Sequence, residues 1–236
     1  MQPLRSLTRG GGGVLILAAL LTLAGCGSNG EAARSGPRIL KDAAAALRSV
    51  SSFEMAGKVA TSSGTGSFTF EVAGKNVGEG TFALGPLQFQ LEEVGSTDYI
   101  RSSTLWASVG GSALQQLLTG KWVSVPASNP LAQQLTNGLA SLTSPTQTAT
   151  ALTQGEAKAR RGGTRTFQGQ GVVAVSENGG GSVLVATSGA PYPLLFVDGK
   201  GTSLALSGFG RSFSIRRPAK SLSLLQVIAG LQSGLP

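Results

Sequence analysis

The sequence predicts an α+β fold: one large, curved antiparallel β-sheet, shaped as a half-barrel, with helices covering its concave face. Three observations predict it. Apolar residues recur with period two in short runs that glycines close. Helical stripes stand at the start, middle and end of the chain. Strand-like runs return after the middle helices.

Taken in order, Ile39, Leu40, Ala43, Leu47 and Val50 fall at helical spacing and give the first helix one apolar face. The period then drops to two: Phe53, Met55, Gly57 and Val59 alternate with Glu54, Ala56, Lys58 and Ala60. Phe68, Phe70 and Val72, then Phe82 and Leu84, then Phe89 and Leu91 continue it to Tyr99, with glycines between the runs. One apolar and one polar face imply a sheet covered on one side. Ser112–Leu118 reads as a short helix, and Lys121–Val125 as a strand stopped by Pro126. From Pro130, Leu131, Leu135, Leu139 and Leu142 form the stripe of an amphipathic helix. Residues 143–153 read as a loop with a helical turn. Strands are expected again over 156–161, 165–175, 182–187, 193–197, 202–207 and 212–216, with Asp198-Gly199 as a strong hairpin signal. Leu222, Leu224, Leu225, Ile228 and Leu231 make a last helical stripe.

The first 25 residues read as a signal peptide. Arg5 and Arg9 precede the apolar run Val14–Ala24, which is too short for the roughly 20 residues a membrane-spanning helix needs. The run closes on Leu23-Ala24-Gly25-Cys26, which resembles a bacterial lipobox. That resemblance implies cleavage before Cys26 and a diacylglycerol on its thiol, with two acyl chains for stable anchoring. Cys26 is the single cysteine, so no disulfide forms within the chain. Residues 26–37, polar and rich in glycine and serine, are expected to be a lipidated flexible tether, and 38–236 a single domain.

Composition narrows the function. Charged residues make up 13% of the chain, against roughly 25% in ordinary soluble domains, so the protein suits apolar cargo or reflects GC-rich coding. The net charge of +8 is spread along the chain, densest at Lys158, Arg160, Arg161 and Arg165 and at Arg211, Arg216, Arg217 and Lys220. Few aromatics interleave with these, which argues against nucleic acid; attraction to anionic headgroups and a plain solvated face are the remaining readings. There is no histidine, and the lone cysteine belongs to the anchor, so the usual general base and zinc ligands are missing. The adjacent pair Glu92-Glu93 points to opposite faces of a strand. No G-x-S-x-G elbow occurs, and Gly179-Gly180-Gly181 lacks the Lys-Ser/Thr of a phosphate loop. No catalytic role, cofactor or metal is expected.

Several short motifs recur in a persuasive order: the lipobox, Ser51-Ser52-Phe53 after a helix, Gly95–Ile100 leading into Leu105-Trp106, Gly120-Lys121-Trp122-Val123, Pro191-Tyr192-Pro193-Leu194, and Gly208-Phe209-Gly210 before Pro218. In this order the chain resembles the LolA/LolB-like lipoprotein-carrier superfamily, and within it actinobacterial lipoproteins of the LppX/LprG type. The resemblance implies an apolar cavity between sheet and helices that holds an acyl chain, lipid or glycolipid, on a protein lipid-anchored at the extracytoplasmic face of the cell membrane. The wall candidates are Phe68, Phe70, Phe82, Phe89 and Leu91, with Leu131, Leu135 and Leu139 on the helix opposite. The alternative is a surface-tethered module with a filled interior that docks a protein partner. Trp106 and Trp122 either flank a cavity mouth or pack in the core and at an edge.

Overall fold

A computed structural model describes residues 27–61, 64–130, 132–133, 144–154, 156–176 and 180–232. The first helix, α1 (Gly36–Arg48), begins with Pro37 in its first turn and ends on Arg48, whose charge suits the negative end of the helix dipole. A meander follows: β1 (Phe53–Thr61), β2 (Gly64–Val72), β3 (Val77–Leu84), β4 (Leu87–Val94) and β5 (Thr97–Arg101). Then come α2 (Thr104–Leu118), β6 (Val123–Pro126) and α3 (Pro145–Gln154). The second half holds β7 (Arg160–Phe167), β8 (Gln170–Ser176), β9 (Ser182–Ala186), β10 (Pro193–Val197), β11 (Ser203–Ser207), β12 (Leu222–Ser223) and α4 (Leu224–Gln232).

All twelve strands share one open sheet in the order β12-β6-β5-β4-β3-β2-β1-β11-β10-β9-β8-β7. Every neighbour is antiparallel except the short β12–β6 pair. The predicted curved α+β sheet is therefore present. Two meanders meet where β1 pairs β11, which puts the chain's halves side by side without a long parallel crossover. The register sets the turns at 73–76, 95–96, 168–169 and 187–192 along one rim, and those at 85–86 and 198–202 along the other. Residues 208–221 leave β11 at the first rim and run without regular structure to β12 at the opposite edge.

The core lies between the concave face and the helices. Ile39, Leu40, Ala43, Ala44 and Leu47 of α1 are fully buried with Ala149 and Leu152 of α3 and the inward residues of the strands. Helix and sheet approach closely where α1 starts, since a Cβ on Gly36 would lie 2.5 Å from the Ala159 carbonyl oxygen. One-sided cover does not hold throughout. Across β8–β10 the outward Val172, Leu184, Ala186 and Leu194 are buried as well, packed by Tyr192 and Phe209, whose rings stack at 4.1 Å.

Other local differences have identifiable causes. The strand expected over 165–175 is a hairpin: Gln168 and Gly169 both take positive φ (48° and 79°), the geometry of a tight turn matched to strand twist. The strand expected at 212–216 is absent, because the chain there follows the sheet instead of pairing with it. Residues 156–158 form a 3-10 turn, and 145–154 form α3 in place of a loop. The short helix at 112–118 starts earlier, at Thr104, and is kinked at Gly110-Gly111. Asp198-Gly199 does close a hairpin, through a longer loop in which the Asp198 carboxylate accepts from the amides of Lys200 (2.7 Å) and Thr202 (2.9 Å).

The segment expected as a flexible tether lies on the sheet from Ser28 onward. Ser28 bridges Ser188, the Asn29 amide donates to the Thr187 carbonyl, and the Asn29 side chain donates to the carbonyls of Ala186 (3.0 Å) and Gly189 (3.2 Å). Glu31 is buried and pairs with Arg34 at 3.1 Å, and Arg34 and Arg38 both reach Asp42 of α1. The Arg161 guanidinium donates to the Ala32 carbonyl.

Candidate functional site

Three cross-strand rows build the concave face of the meander. Phe68, Phe82 and Phe89 face one another in the first, with Gly57 at its end. Met55, Phe70, Gly80, Leu91, Ile100 and Val123 make the second. Phe53, Val72, Gly78, Glu93, Asp98 and Val125 make the third, nearest the first rim. All five sheet candidates of the sequence reading thus come together on one surface, and none is more than 5% exposed. Phe82 is central, with ring centroids at 5.8 Å from Phe68, 5.9 Å from Phe70 and 4.8 Å from Phe89. Leu131, Leu135 and Leu139, like Cys26, lie outside the described residues.

Glycines shape this surface. A Cβ on Gly80 would lie 2.6 Å from Cδ2 of Phe70, one on Gly78 would strike the same ring, and one on Gly57 would lie 2.9 Å from the Phe68 ring. The two phenyl groups therefore lie flat over their glycine neighbours instead of standing up from the sheet. Gly80→Ala should cost about 1–3 kcal/mol in chemical denaturation, since the methyl also meets the Thr69 carbonyl oxygen, which the backbone holds fixed.

The third row breaks the apolar pattern. Glu93 and Asp98 are direct cross-strand partners on the concave side. Asp98 is 5% exposed and Glu93 is half-buried. Burial, and then the charge of Asp98, push Glu93 up to about 7; burial pushes Asp98 up to about 6. Both line an open pocket of about 840 Å³ at the first rim, together with Arg48, Lys75, Ser96 and Gln147. Glu92 does point to the other face, as strand alternation requires. There Glu54, Glu71, Glu79 and Glu92 face one another in a single row across β1–β4. Burial and the neighbouring Glu79 raise both Glu71 and Glu92 above the ordinary carboxylate range. Arg211 sits 3.7 Å from Glu54 at one end of that row, and Arg101 stacks over Trp122 at 4.7 Å near the other. Trp106 is core, 2% exposed, and Trp122 packs at an edge. No group of three potential metal ligands occurs among the described residues.

These features define a class: a wide open antiparallel sheet with an aromatic concave face, helices packed on it, and a polar pocket at one rim. The fold of LprF from Mycobacterium bovis is similar. Its crystal structure superposes with a TM-score of 0.51 at 17% identity, over 82% of this chain and all of that one. In fold, the chain thus resembles lipoproteins of the LppX/LprG type, as its motif order led one to expect. No family model matches the sequence, and no curated protein does.

Proposed function

We propose that this protein is a membrane-anchored lipoprotein that holds an acyl chain, lipid or glycolipid against the concave face of its sheet and carries it within the cell envelope. The observation that supports this best is the continuous apolar floor of Phe68, Phe70, Phe82, Phe89 and Leu91, with two rings laid flat on glycines. An acyl chain gains roughly 0.8 kcal/mol for each CH₂ taken out of water, so moving it between membranes requires a dry surface of this kind. The similarity of fold to LprF favours the same reading. Cys26 is the proposed acylation site, and no described helix is long and apolar enough to cross a membrane. We place the mature protein at the extracytoplasmic face, with residues 1–25 removed and no catalytic step.

Native mass spectrometry of the mature chain purified from its own host tests this. The expected spectrum shows, besides the acylated Cys26, a non-covalent adduct of lipid mass that delipidation removes. A ligand-free mass, with no uptake of an apolar fluorescent probe, would replace the carrier by a module with a filled interior that docks a protein partner.

A further inference from the structure

Which side of the domain meets the membrane follows from where the chain is clamped. Ser28 and Asn29 are fixed to residues 186–189 by a β-bridge, a backbone bond and two side-chain bonds. Only Gly27 separates Ser28 from Cys26 in the sequence, and two residues of fully extended backbone span at most about 7 Å. An anchor on Cys26 thus leaves the domain within one short step of the rim that carries the 187–192 turn. A loose tether of a dozen residues would let the domain turn freely; this attachment does not.

The charge of that rim is compatible with an anionic surface, although Lys58, Arg160, Arg161 and Lys200 stand exposed towards the opposite rim. Arg48, Lys75, Arg165 and Arg211 are exposed on it. The carboxyls there are withdrawn: Asp98 is buried, Glu93 is partly buried, and Glu54 pairs with Arg211. The pocket lined by Glu93 and Asp98 opens at the same rim. The opposite rim, at 198–202, stands about 20 Å away along β10, at roughly 3.3 Å per residue.

We infer that the rim formed by the turns at 73–76, 95–96 and 187–192 is the membrane-facing surface of this protein, and that its partner is an anionic bilayer surface, the one that carries the Cys26 anchor. The inference rests on the acylation proposed above. It sets the mouth of the pocket lined by Glu93 and Asp98 against the headgroups. The clamp at Ser28 and Asn29 brings Arg48, Lys75 and Arg165 to that surface, where each contributes roughly 1 kcal/mol, and holds the basic residues of the opposite rim beyond the reach of its screened potential.

The acylated thiol leaves the chain without a free cysteine, so single introduced cysteines label cleanly. Ala190→Cys and Ser96→Cys place a fluorophore on the proposed membrane rim, and Lys200→Cys places one on the opposite rim. Full-length protein is purified from its host, its acyl mass is measured, and it is reconstituted in phosphatidylcholine vesicles with and without phosphatidylglycerol. Lipids carrying a headgroup quencher should quench both rim labels several-fold more than the Lys200→Cys label, and the contrast should shrink without phosphatidylglycerol. Acylated protein with equal quenching at all three sites, or strongest quenching at residue 200, overturns the orientation and leaves the anchor standing. A contrast unchanged in neutral vesicles overturns the anionic partner. Absence of the acyl mass removes the anchor and the orientation together. Asn29→Ala provides an independent check: acylation should be unchanged, while the contrast between rims falls.

Discussion

Phe82→Ala should lower the stability of the domain by about 3–5 kcal/mol, the largest loss expected from any single truncation on the concave face. The ring is 3% exposed and is the common neighbour of Phe68, Phe70 and Phe89. Those three belong to β2 and β4, which hydrogen bonding holds in place on either side of β3, so the hole left by the ring cannot close by a simple shift. Urea denaturation of the mature domain gives the number directly. A loss below about 1 kcal/mol would show that the ring has no close-packed partner, and the aromatic floor would then need another description. Phe89→Leu should cost less, because much of the volume is kept. A carrier should also take up an apolar probe more readily as Phe82→Ala, because the substitution opens over β3 a space that the ring fills.

Glu93→Gln should make the protein more stable at pH 8 and leave it unchanged near pH 4. The Glu93 carboxyl has an ordinary value of 4.5 and is pushed up to about 7 in the fold, first by burial and then by Asp98. The native state therefore keeps a proton that the unfolded chain gives up earlier. Stability from this group is fully present below about 4.5 and is lost as pH rises towards 7. The pair titrates together, with Asp98 raised to about 6 beside it. At about 1.4 kcal/mol per unit, and allowing for the partial exposure of Glu93, the amide should gain about 2–3 kcal/mol at pH 8. Thermal melts of both proteins between pH 4 and pH 8 measure it; parallel curves would remove the pair from the pH dependence.

Much of the fold is legible in the sequence because its elements obey simple periods. The stripe of α1 and the alternation through Phe53, Phe68, Phe82 and Phe89 need no tertiary information, and the core they predict is the core observed. The hairpin tip at Gln168-Gly169 is less visible, since glutamine carries no turn signal and the strands on both sides are themselves β-like. The course of residues 212–216 is hidden for the opposite reason: alternating Phe213 and Ile215 look like a strand, but no strand edge is free beside them. The pair of Glu93 and Asp98 is the clearest omission. The two are five residues apart around the Gly95-Ser96 turn, and the register of that hairpin makes them direct partners. The clamping of Asn29 on the sheet is long-range by contrast, joining positions about 160 residues apart.

The two borders of the sheet bear on how the domain meets copies of itself, since any open strand is a template for the next chain, the more so if the proposed anchor gathers copies in one leaflet. Here β7 is exposed along nearly its whole length, but it presents Arg160, Arg161 and Arg165, and its pairing slips between Arg161 and Thr164 at Gly162-Gly163. Positive charges and a kink repel a second edge of the same kind. At the other border β12 is only two residues long and runs directly into α4. The sheet's borders therefore resist edge-to-edge pairing, and replacing the β7 arginines with threonine is the change expected to turn one of them into a seam for polymerisation.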